Sequence, residues 1–168
     1  MAIEDHRDIV KRIAWDTETR TQAFAEALAG KLCASAAGGD AIIQLHGDLG
    51  AGKTTFARYL LKALGVLGRV KSPTYAVVEP YTVAGATPGS TLAIWHFDFF
   101  RFNDPDEWEE AGFRDIFASP GLKLVEWPEK AGSHLPPADL DIHIEMLPSE
   151  TRVVTCTART DAGAALLP

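Results

Sequence analysis

Apolar residues recur along this chain at two spacings, four apart and two apart, and the changeovers between them mark out its elements. Phe24, Leu28 and Leu32 stand at helical spacing. They follow Thr19-Arg20-Thr21-Gln22, which fits a capping box, so a first amphipathic helix is predicted from there to Ala36-Ala37-Gly38-Gly39. Ala41-Ile42-Ile43-Gln44-Leu45 is mostly apolar over the length of a strand. Phe56, Leu60 and Leu64, widened by Ala57 and Leu61, make a second helix closed by Gly65. Tyr75-Ala76-Val77-Val78 reads as a strand, kept from the sheet centre by Pro80, which has no N–H to donate. Gly85 to Gly89 mark a turn, and Leu92-Ala93-Ile94-Trp95-His96-Phe97 is a strong strand ending on Asp98. Asn103-Asp104-Pro105 starts a helix, and Leu122-Lys123-Leu124-Val125 is a short strand stopped by Pro128. Leu140, Ile142, Ile144 and Met146 then alternate with Asp141, His143 and Glu145, a strand with one wet face. Pro148-Ser149-Glu150 turns it and Val153-Val154-Thr155-Cys156 returns, an antiparallel hairpin expected at the sheet edge. Residues 1–16 show no period and Asp161 to Pro168 read as a frayed tail, so 1–16 and 160–168 are expected to be loose flanks of one domain spanning 1–168.

The bulk properties narrow the function classes. At 168 residues the chain is long enough for one domain with a proper core, and 46% hydrophobic with 23% charged residues is ordinary for a globular protein. A net charge of −7 counts against a large nucleic-acid-binding surface, which needs clustered Lys and Arg. Cys33 and Cys156 are too few for a disulfide framework or a zinc cage and read as reduced, partly buried thiols. No run approaches the roughly 20 apolar residues of a membrane span, and Met1-Ala2-Ile3-Glu4-Asp5-His6 has neither the basic region nor the apolar run of a signal peptide. A cytoplasmic location without membrane contact is the expectation.

The chemistry concentrates at Gly47-Asp48-Leu49-Gly50-Ala51-Gly52-Lys53-Thr54, which spells G-x-x-x-x-G-K-[ST]. Glycines let such a loop curl around an anion with its N–H groups pointing inward. Lys53 would supply a point charge for the β/γ-phosphates and Thr54 a hydroxyl for Mg²⁺. The motif sits between a strand and a helix, the order that puts phosphate on a helix N-terminus. The expected architecture is therefore an α/β, P-loop NTPase-like three-layer fold. Its central sheet would be mostly parallel, with helices on both faces and an antiparallel C-terminal edge hairpin.

A P-loop also needs an acid at the end of a buried strand. Asp98 is the best candidate and Glu126 the second, since ligands in such sheets bind at the carboxyl ends of strands. On spacing alone, Ser72-Pro73-Thr74 is a turn with an exposed hydroxyl or a segment that senses γ-phosphate. The histidines His6, His46, His96, His134 and His143 show no metal spacing; His96 is expected in the core and His143 on the polar side of the hairpin. Trp95 and Trp108 read as packing residues. No Asn-Lys-x-Asp guanine-reading motif is present, which favours ATP over GTP. A small-molecule kinase is the runner-up. It would need an arginine-bearing lid, for which the sequence after Asp98 offers Arg101 and Arg114 as candidates.

Four segments in order resemble the TsaE (YjeE) ATPases of tRNA threonylcarbamoyladenosine biosynthesis. They are the loop continued through Thr55, Lys71-Ser72-Pro73-Thr74-Tyr75, His96-Phe97-Asp98-Phe99-Phe100-Arg101 and Leu124-Val125-Glu126-Trp127-Pro128-Glu129-Lys130. Phe100 departs from the family's usual Tyr, and the turn from Gly85 to Thr91 is longer than usual. The resemblance implies nucleotide contacts from Gly47 through Thr55, and from the first helix near Thr19 toward adenine. It implies Thr74 as a switch element, with Thr54, Asp98 and Glu126 about Mg²⁺. It further implies an ATP-hydrolysing subunit that acts with the TsaB–TsaD complex, meets tRNA only through that complex, and serves modification of position 37.

Overall fold

Leu122–Glu126 is buried along its whole length, the condition of a strand covered on both faces. A computed structural model describes residues 8–168 and arranges one sheet around it. The described elements in chain order are β1 (Ile9–Trp15), α1 (Glu18–Ala34), β2 (Ala41–His46), α2 (Lys53–Ala63), β3 (Val78–Ala84), β4 (Thr91–Asp98), α3 (Glu107–Glu110), α4 (Arg114–Ala118), β5 (Leu122–Glu126), β6 (Leu140–Met146), β7 (Arg152–Ala158) and α5 (Asp161–Leu166). The strand order is β1-β7-β6-β2-β5-β4-β3.

The central strands β6, β2, β5 and β4 run parallel, whereas β7, β1 and β3 pair antiparallel on the flanks. The expectation of a mostly parallel sheet thus holds for its centre only. The C-terminal hairpin is not an edge either, because β6 pairs with β2 and β7 with β1. The edges are β3, where Pro80 fits, and β1. The part of 1–16 expected to be loose that lies among the described residues is that second edge strand. Its Lys11 and Arg12 break the apolar pattern, as charged residues on an edge strand do; residues 1–7 lie outside the described range.

Alternation sends side chains to two cores. Ile43 and Leu45 of β2, Ile94 of β4, Leu122 and Leu124 of β5 and Ile142 of β6 join Phe24, Leu28, Phe56 and Leu60 under α1 and α2. Phe97, Phe99, Trp108, Phe113, Phe117 and Val125 form an aromatic cluster on the opposite face under α3 and α4. Trp95 and Trp108 pack there as expected. The helices cover both faces only over β4 and β5; Val10, Arg12, His143 and Glu145 lie exposed on the uncovered half. Helix α1 starts two residues before the expected capping box. Thr17 is extended and its side chain accepts from the N–H of Arg20. Cys33 is exposed on α1 rather than partly buried, and Cys156 is buried, which pushes its thiol up to about 11. No helix among the described residues is long and apolar enough to cross a membrane.

The expected frayed tail is a docked helix. Thr160 caps α5 by accepting from the N–H of Gly163, and Leu166 is buried. Asp139 pins this end to the sheet: its carboxylate accepts from the N–H of Ile42 and the hydroxyl of Thr160, each at 2.8 Å, and its carbonyl accepts from the N–H of Arg159. Small residues gave this helix no visible apolar stripe. Gly163 lies so close to Asp139 that an added Cβ would stand 1.8 Å from its carbonyl oxygen. Gly163→Ala should therefore destabilise the protein by about 1–3 kcal/mol through overpacking, read as a lower Tm in thermal denaturation. An unchanged Tm would mean that the helix is not docked.

Candidate functional site

The loop after β2 takes a shape only glycine tolerates at three points: Gly47, Gly50 and Gly52 have φ of 148°, 80° and 112°. A Cβ on Gly47 would stand 2.4 Å from the carbonyl oxygen of Ile144. Helix α2 begins directly on this loop with no side-chain cap, which leaves its first N–H groups for an anion. Lys53 is buried, donates from Nζ to the carbonyls of Gly47 and Asp48, and lies 4.2 Å over the ring of Trp127. Burial lowers its pKa, against the pull of Glu126, Glu129, Asp98 and Asp48.

Parallel register brings the acids to the same level as the loop. Glu126 of β5 stands opposite Leu45 of β2 on one side and Asp98 of β4 on the other. Glu126 accepts from the Thr54 hydroxyl at 2.7 Å and bonds His96 Nε2 at 2.6 Å, with both Glu126 and His96 buried. Asp98 is buried as well, accepting from the Thr74 hydroxyl at 3.0 Å and from the N–H of Phe100 at 2.9 Å. Burial raises the pKa of Asp98 despite those two bonds, and the charge of Glu126 raises it further.

Thr74 therefore faces the acids, and the strand expected from Tyr75 begins only at Val78. The turn is held by Val77, whose N–H donates to Pro73 and whose φ is 69°. Trp127, next to Glu126, has φ 56°. A left-handed conformation at a non-glycine residue costs about 1–3 kcal/mol and is held only by surrounding structure.

Lys53, Thr54, Thr74, Asp98 and Glu126 line one cavity of about 260 Å³, with Leu49, Gly50, Gly52 and Thr55 of the loop. Gly47, Asp48 and Ala51 face a neighbouring recess beside β6. Thr19 is exposed on α1; the recesses next to that turn take Glu18 and Thr21 instead. His143 lies exposed on the other side of the hairpin, stacked on His46 with ring centroids 4.1 Å apart.

Sequence reasoning missed Phe100, Trp127 and Arg152 in the cavity wall, the last donating from Nε to the Ala51 carbonyl at 2.7 Å. No local pattern marks Arg152, which is about a hundred residues from the loop.

Among the described residues no group of three His, Cys, Asp or Glu side chains forms a metal cage. The oxygens present are the hydroxyl of Thr54 and the carboxylates of Glu126 and Asp98. That donor set fits Mg²⁺, which takes one or two carboxylates and completes its shell with water and phosphate oxygens.

A family model described as threonylcarbamoyl adenosine biosynthesis protein TsaE matches residues 15–154. This chain belongs to the TsaE family. It is 43% identical over 122 residues to the Haemophilus influenzae tRNA threonylcarbamoyladenosine biosynthesis protein TsaE, covering 73% of each chain. The Bacillus subtilis TsaE is 34% identical over 149 residues, 89% of this chain and 87% of that one. The fold matches the crystal structure of Bacillus subtilis YdiB with a TM-score of 0.72 at 26% identity, covering 96% and 94% of the two chains. Such a TsaE fold thus carries the whole described core, flanks included.

Asp98 offers a direct check on the electrostatics of the site. Its folded pKa lies above the unfolded value, so the folded state binds more protons over that interval and loses stability as pH rises through it. In metal-free protein, Asp98→Asn should raise stability at pH 7, with the gain shrinking as pH falls toward the ordinary carboxylate range. Thermal melts at pH 7 and in that lower range test this; a variant less stable at pH 7 would contradict it.

Proposed function

We propose that this protein is a Mg²⁺-dependent ATPase that acts with the TsaB–TsaD complex in forming threonylcarbamoyladenosine at position 37 of tRNA. The supporting observation is the convergence of Lys53, Thr54, Thr74, Asp98 and Glu126 on a single cavity at the mouth of a glycine loop. The names of the relatives support the pathway.

In this reading the loop N–H groups hold the phosphate chain of ATP and Lys53 leaves its loop carbonyls for the β- and γ-phosphates. Bound at Thr54 and Glu126, Mg²⁺ would offset charge on those oxygens. Glu126 is kept oriented by His96, which bonds its second oxygen. Asp98, with its raised pKa, and Thr74 lie at the γ-phosphate end and orient the attacking water. Water oxygen bonds to the γ-phosphorus, the bond to the β,γ-bridging oxygen breaks, a proton of the water passes to the phosphate being released, and ADP and phosphate leave. Partner proteins would complete the site from outside, since Leu49 and Tyr75 stand exposed beside it.

The kinase alternative finds less support, because both lid candidates are engaged elsewhere. The Arg101 guanidinium stacks 3.9 Å from the Tyr75 ring centroid, and Arg114 pairs with Glu109.

ATP hydrolysis measured in Mg²⁺, alone and with purified TsaB–TsaD, tests the proposal. Stimulation by the pair is expected. Lys53→Ala should cut turnover by about 10²–10³-fold or more, by analogy with loss of one preorganised electrostatic contact. Wild-type turnover in that variant would remove the P-loop assignment, and no association with TsaB–TsaD would remove the partner.

A further inference from the structure

Arg152 lines the phosphate cavity and has no part in the scheme above. Its direction follows from the alternation of β7. Val154, Cys156 and Ala158 are buried against the α1/α2 side of the sheet, so Arg152, two residues before Val154, faces the same way. Its backbone is held from both flanks, opposite Trp15 of β1 and Met146 of β6. From there the side chain reaches the start of α2. Nε donates to the Ala51 carbonyl at 2.7 Å, and the same nitrogen lies 2.8 Å from where a Cβ on Gly52 would stand. Gly52 therefore does two things: it accepts a φ of 112°, and it leaves room for the guanidinium.

One donor of Arg152 is engaged by the loop, and its two terminal nitrogens have no hydrogen-bond partner among the described residues. Among the described residues Lys53 is the only other cation lining the cavity. Arg58 and Lys62 line a separate recess farther along α2. Arg152 also borders a recess with Gly52, Thr55, Thr21 and Glu18, which none of Thr74, Asp98 and Glu126 enters. The guanidinium thus borders both the cavity of Asp98 and Glu126 and this recess beside Glu18.

We propose that Arg152 is a second phosphate-binding cation, delivered to the glycine loop by the C-terminal hairpin, and that it grips the phosphates common to ATP and ADP. The inference rests on the nucleotide reading given above. A guanidinium presents a planar fork of donors that matches two phosphate oxygens, and with Nε on Ala51 the outer edge of that fork remains for the ligand. With its Nε tied to the loop backbone at Ala51, it serves binding rather than bond breaking. Its contacts are then the same before and after hydrolysis.

Calorimetric binding of ADP and of a non-hydrolysable ATP analogue in Mg²⁺ decides the matter, on wild type and on Arg152→Ala, Arg152→Gln and Arg152→Lys. Arg152→Ala and Arg152→Gln should each weaken both nucleotides in step, by about tenfold or more, as expected for loss of a charge-assisted contact. Arg152→Lys should recover part of that loss, and kcat at saturating ATP should change less than about twofold. Wild-type binding by Arg152→Gln would overturn the inference, since a neutral donor to Ala51 would then suffice. So would equal binding by all variants, or a fall in kcat with unchanged affinity. Should Arg152→Ala fail to fold, the comparison of Gln with Lys still separates charge from loop support. A wild type that binds neither nucleotide overturns the reading of the loop itself; a wild type that binds while the variants match it overturns only the role of Arg152.

Discussion

Glu126 is held at both of its oxygens, by the Thr54 hydroxyl on the loop side and by the His96 ring on the core side, and the site is built outward from that pair of bonds. A buried carboxylate without partners is costly, so the strand that carries it must lie between two others that supply them. Parallel pairing with β2 and β4 does this. One neighbour brings the loop that leads to Thr54, and the other brings His96 and sets Asp98 alongside. The aromatic cluster beneath and the α1/α2 core above keep water from both faces of these strands. Rigid strand ends, rather than loops, thus carry the acids.

Much of this centre is legible in the chain. The glycine loop identifies itself by spacing, and the apolar runs before Asp98 and Glu126 place both acids at strand ends. The flanks are harder to read for identifiable reasons. Residues 9–15 alternate poorly because an edge strand tolerates Lys11 and Arg12, and α5 is built of Ala and Gly that dock by closeness instead of by an apolar stripe. Position in the sheet is a tertiary fact as well: nothing in the alternation of residues 140–158 says which neighbours the hairpin takes. Arg152 shows the same limit within the site, since only the register of β7 with β6 and β1 carries it to the loop.

Membership of the TsaE family and the geometry of the cavity support one another from different directions. The matched region runs from Trp15 to Val154 and so contains the loop, both acids, the Thr74 segment and Arg152. The structural likeness extends past that region to 96% of the chain, in keeping with an edge strand and a terminal helix that belong to the fold. Sharing a fold does not by itself assign a reaction. That assignment depends on the hydroxyls, carboxylates and ammonium that meet in one small space.

The left-handed residues Val77 and Trp127 have a mechanical consequence. Each follows closely on a side chain that meets the acid pair or belongs to it, Thr74 in one case and Glu126 in the other. Turning either residue back to negative φ would relieve about 1–3 kcal/mol of local strain while rotating the peptide that follows. The strain is held at Val77 by its N–H bond to the Pro73 carbonyl and by the Asp98 N–H that its own carbonyl accepts, and at Trp127 by the Lys53 ammonium over its ring and the Phe100 ring beside it. The bent segments on either side of the acids thus owe their shape to the very strand and loop that they enclose.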